Sequence, residues 1–78
     1  MMKYKEFIQH VYYGNEFEGT LDEHSLAVLN VIEDKVVVVI NGEDTIIDED
    51  DIENTKIYDN MTFEELFDNN RIVLTDMF

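Results

Sequence analysis

Tyr4, Phe7, Ile8, Val11 and Tyr12 recur at three- and four-residue steps, with Lys5, Glu6, Gln9 and His10 between them. That spacing lays the apolar set along one side of a helix. Gly14-Asn15 supplies its stop, because a helix ends readily on a residue that tolerates the left-handed conformation. Glu16 to Leu21 then alternates polar with apolar. The alternation predicts a short strand, weakened by Gly19.

From Leu26 the chain reads Leu-Ala-Val-Leu-Asn-Val-Ile, then Glu33-Asp34-Lys35, then five apolar residues Val36 to Ile40, then Asn41-Gly42 and Glu43 to Ile47. β-branched residues fill the later runs, and Asn-Gly between two apolar stretches is the strongest short hairpin signal, since a type I′ turn needs positive φ at both central residues. A three-stranded antiparallel meander follows. A competing reading is a helix through Leu29, opened by a capping box at Thr20-Leu-Asp-Glu23. Val36, Val38 and Ile40 fall on one face of the middle strand and Val37 and Val39 on the other, so both faces need cover. A second copy of the chain, giving a homodimer, competes here with a helix formed by Phe63 to Phe67.

Beyond an acidic stretch, Lys56-Ile57-Tyr58 predicts a brief extended segment. Thr62-Phe-Glu-Glu65 is a second capping box leading into Leu66-Phe67. Asn69-Asn70 can close that short helix, and Arg71 to Thr75 reads as a last strand. The pattern predicts an α+β fold in a single domain, residues 1–78: an N-terminal helix, an antiparallel β-meander with an Asn-Gly hairpin, a short C-terminal helix and a final strand.

Composition narrows what such a domain does. With 45% apolar residues the chain has a core to bury, despite its charge imbalance. The absence of cysteine excludes disulfides and thiolate metal sites, and no apolar run reaches the length of a membrane span or a signal-peptide core. The expected location is the cytoplasm. Nineteen Asp and Glu against five Lys and Arg give a formal net charge of -14. Such a surface repels nucleic acid and anionic membranes, so direct binding to either is not expected and a basic partner is. The imbalance also exceeds the magnitude of about 2 to 8 that keeps a small domain soluble, at a cost in self-repulsion.

Catalytic and cofactor motifs are missing. His10 and His24 have no zinc-site spacing, Ser25 beside His24 does not by itself build a nucleophile and base, and Gly14, Gly19 and Gly42 are isolated rather than forming a phosphate loop. No enzyme activity and no cofactor are expected. The density of acids between Glu43 and Glu53 invites comparison with the oxygen-rich loops that bind calcium, but the order of an EF-hand, with its central glycine and terminal glutamate, is absent.

That segment instead concentrates negative charge: Val36 to Thr55 holds seven acids and no base. Alternate residues of a strand lie about 6.6 to 6.8 Å apart on one face, on the scale of successive phosphates along a nucleic-acid strand. Carboxylates so spaced can imitate a phosphate track and accept arginine forks bidentately. The candidate partner-binding residues are therefore Glu43, Asp44, Asp48, Glu49, Asp50, Asp51 and Glu53, with Glu64, Glu65 and Asp68 as a second patch.

In size, acidity, lack of cysteine and the Asp/Glu-rich segment Glu43 to Glu53, the chain resembles small phage-encoded inhibitors, including anti-CRISPR proteins and other DNA mimics. The resemblance is one of character over the whole chain and carries no shared motif. It implies inhibition of a nucleic-acid-binding enzyme, such as a CRISPR effector nuclease, by occupation of its basic DNA- or RNA-binding surface. A small oligomeric protein-interaction module without mimicry is the alternative. Tyr13 to Asp22, between a helix and a meander, also looks like the start of an Sm-like barrel, but the chain lacks the bases and stacking aromatics of an RNA-binding ring.

Overall fold

The computed structural model describes residues 2–78 and bears out the α+β reading. Helix α1 (Tyr4–Tyr12) leads into strands β1 (Phe17–Leu21), β2 (His24–Leu29), β3 (Lys35–Ile40) and β4 (Glu43–Asp48). A 3-10 turn (Glu49–Asp51), helix α2 (Phe63–Asp68) and strand β5 (Ile72–Met77) complete the chain. The five strands form one antiparallel sheet in the order β4-β3-β2-β1-β5.

The turns explain the sheet. Asn41 and Gly42 have φ of 52° and 82°, the doubly positive turn expected, so Ile40 pairs directly with Glu43. Asp22 and Glu23, at 48° and 70°, make an equivalent two-residue turn between Leu21 and His24. This excludes the competing helix: the Thr20 to Glu23 residues that fit a capping box are a strand end and a hairpin turn. Arg71 holds that turn from outside, its carbonyl accepting from the Asp22 N–H at 3.1 Å and its guanidinium gripping the Asp22 carboxylate through Nε at 3.0 Å. Lys56 to Tyr58 is irregular, meeting Met61 through a single β-bridge at Tyr58.

Gly19 is a requirement rather than a weakness. The β1–β5 register slips between Glu18 and Gly19, and a Cβ at position 19 would lie 2.1 Å from the Val73 carbonyl oxygen. Only glycine permits that approach.

One sheet face carries the core. Phe17, Leu21, Leu26, Val28, Val36, Val38, Ile47 and Ile72 are buried against Phe7, Ile8 and Val11 of α1, Phe63 and Leu66 of α2, and Ile52. Phe7 sits at the centre, its ring 5.0 Å from Phe17, 4.9 Å from Phe63 and 5.0 Å from Phe67, in tilted arrangements. Both helices thus share one layer. Helix α2 does not cover the Val37 and Val39 face of β3, which corrects the expectation that Phe63 to Phe67 could do so.

The capping box at Thr62 is present in full. Its Oγ1 accepts from the Glu65 N–H at 3.3 Å, and its own N–H donates to Glu65 Oε1 at 3.0 Å. Asn70, at φ 57°, turns the chain out of α2 and into β5.

Candidate functional site: acidic residues of the β4 strand, the 3-10 turn and helix α2

The hairpin delivers Glu43 and Asp44 at the start of β4 and Asp48 at its end. Strand alternation puts Asp44, Ile46 and Asp48 on the sheet face away from the helices, while Glu43 shares the inner face with Ile47. Asp48 bonds to Lys35 across the β3–β4 pair, and the carboxylate raises the Lys35 pKa above its ordinary value.

The 3-10 turn then folds against the β2–β3 loop, where the Glu49 N–H donates to the Asp34 carbonyl at 3.0 Å. The contact brings Asp34, Asp48, Glu49 and Asp50 around one open recess of about 270 Å³. Asp34 was not among the expected residues. It lies before the apolar run of β3, so its contribution depends on a fold-back that local pattern does not encode.

Glu53 has a different role from its neighbours. Tyr12 Oη donates to its Oε2 at 2.6 Å and Tyr4 Oη to its Oε1 at 3.3 Å, strapping the loop after the 3-10 turn to α1. Burial, then the bond to Glu53, then the charges of Glu53, Glu49 and Asp50 push the Tyr12 hydroxyl up to about 12. Tyr4 is raised further, first by burial, then by Glu53, then by Glu64 on α2. The fields of both acidic groups therefore meet along α1: Glu49 and Asp50 act on Tyr12, Glu53 on both tyrosines, and Glu64 on Tyr4.

The second group is divided. Glu65 is committed to its own helix cap, its carboxyl held below the ordinary range chiefly by the Thr62 N–H, and it lies 3.8 Å from Lys56. Glu64 and Asp68 are exposed. Among the described residues the ion pairs are Lys35–Asp48, Lys56–Glu65, and Arg71 with Asp22 and Asp59. Glu43, Asp44, Glu49, Asp50, Asp51, Glu64 and Asp68 therefore stand without a basic partner among those residues. His24 and Ser25, consecutive on β2, project to opposite faces and form no catalytic pair.

Fold and surface together define a small α+β domain with a helix-covered sheet face, an open sheet face and seven of the expected carboxylates without a basic partner among the described residues. No protein-family model, no curated protein and no solved structure matches the chain.

Proposed function

We propose that this protein is an acidic binding protein that inhibits a nucleic-acid-binding enzyme by occupying its basic surface with carboxylates. The observation that carries the reading is the set of acids without a basic partner among the described residues, of which Glu49 and Asp50 of the 3-10 turn and Glu64 of α2 lie close enough to α1 to act on its tyrosines. Each such carboxylate is desolvated at low cost only against a cation, and arginines that hold phosphates offer one with matching geometry. The same field steers encounter and weakens with salt. Three of the five bases, Lys35, Lys56 and Arg71, are already engaged by acids, which leaves little with which to hold RNA as an Sm-like ring would.

The test is capture from host lysate on immobilised protein, with elution by double-stranded DNA at constant salt. Recovery of a nucleic-acid enzyme that DNA displaces, and its loss with the Asp44→Lys, Asp50→Lys and Asp51→Lys triple variant, is the expected result. These positions spare Asp48, whose bond to Lys35 is structural. Capture that DNA leaves untouched sinks the mimicry.

The helix-free face of the sheet, where Ile46 is exposed, supports a second reading, a protein-interaction module without mimicry. Under it, double-stranded DNA does not displace the captured partner.

A further inference from the structure

Both helices lie on one face of the sheet, and the other face has an apolar centre. Cross-strand register sets Ala27 beside Val39 and Leu29 beside Val37, with Ile46 on the far side of Val37. Val37, outside the main core, is 6% exposed between these neighbours, while Ile46 is 59% exposed. Val31 and Ile32, in the loop beyond Leu29, are also exposed.

Carboxylates surround this centre. Glu18 lies beside Ala27, Asp76 beside Glu18, Asp44 beside Val39, and Asp48 beside Lys35, the one base on the face. Along β4 the sequence on this face is Asp44, Ile46, Asp48, so an apolar side chain interrupts what would otherwise be a row of acids. A bare phosphate mimic has no use for Ile46 there.

We infer that the helix-free face of the β-sheet, with exposed Ile46 and half-buried Val39 at its apolar centre, is the docking surface for a basic protein whose lysines and arginines flank an apolar contact. The inference rests on the acidic-binding reading and specifies which face of the molecule the partner meets. Charge complementarity selects the occupant. A second copy related by a two-fold axis would set Glu18, Asp44 and Asp76 against like charges, whereas a basic rim neutralises them and an apolar centre covers Ile46.

Two peptides of equal length and charge test this, one alternating arginine with leucine and the other arginine with serine, each titrated into 15N-labelled protein. The leucine peptide should bind at least about tenfold more tightly, the scale of burying one leucine side chain, and shift amides of β2, β3 and β4. Ile46→Asp should erase that advantage while binding the serine peptide no more weakly than wild type does, since it removes the apolar contact and adds a carboxylate. Ile46→Thr, which keeps a β-branched residue at this exposed position, should reduce it, and Tyr13→Ser, remote from the face, should preserve it. Equal binding of the two peptides to wild type overturns this inference while leaving the acidic-binding reading standing. Failure of both peptides to bind overturns both. A dimer in sedimentation that Ile46→Asp dissociates gives the face to a second copy and likewise overturns it.

Discussion

Single residues in this protein act through constraints that their chemical type alone does not announce. At Gly19, alanine would place a methyl 2.1 Å from the Val73 carbonyl oxygen, so β1 and β5 must part. Gly19→Ala should cost about 3 kcal/mol or more in urea denaturation, the upper end of overpacking effects. Asp22 illustrates an electrostatic constraint. Hydrogen bonds from Arg71, then its charge, hold the Asp22 carboxyl below the ordinary range. The folded state therefore favours the ionised form, and its stabilisation is complete above the unfolded value of about 3.9 and lost as pH falls through the lower folded value. Asp22→Asn, which tolerates the same positive φ, should be less stable than wild type at pH 6 and should converge with it near pH 2, as read from urea midpoints.

At the level of elements, the local signals decide their own structure. Asn41-Gly42 announces its turn because the backbone angles demand those residues, and Thr62 to Glu65 announces α2 because both halves of the box lie within four positions. The turn at Asp22-Glu23 is obscured by the same logic: Thr20 to Glu23 spells a capping box, and only pairing of β1 with β2 and β5 overrides it. The acids are legible as a group, but their fates are not. Asp48 finds Lys35, Glu53 finds Tyr4 and Tyr12, and Asp34 joins Glu49 through contacts that are distant in sequence. Two variants probe these elements. A six-residue helix has no independent stability, so Thr62→Ala should lower global stability by about 1 kcal/mol in thermal or urea unfolding. Tyr12→Phe removes the 2.6 Å bond to Glu53, and amides from 49 to 55 should exchange faster with solvent while β1 and β2 stay protected.

For the whole molecule, the charge of -14 sits on a body of 29 × 23 × 21 Å. Few carboxylates are far from another, so self-repulsion opposes the folded state and is screened over about 10 Å at 0.1 M salt. Raising NaCl from about 20 to about 500 mM should therefore stabilise the isolated protein, on the order of 1 kcal/mol or about 4–8 °C in Tm. The same salt should weaken its complex with a basic partner. Opposite signs in the two measurements separate a charge that serves recognition from one that serves the fold.

The sheet order carries one more consequence, for how the chain is made. Strands β1 to β4 pair with their sequence neighbours, but the outer edge of β1 pairs with β5, where Leu21 meets Ile72 and the Glu16 and Phe78 backbones bond to each other at 2.8 and 3.0 Å. Until residues 72–78 emerge, a nascent chain exposes β1 at the place where Gly19 leaves the backbone bare. Synthesis halted a few codons short of position 72 should yield a polypeptide that proteases remove, however complete its meander.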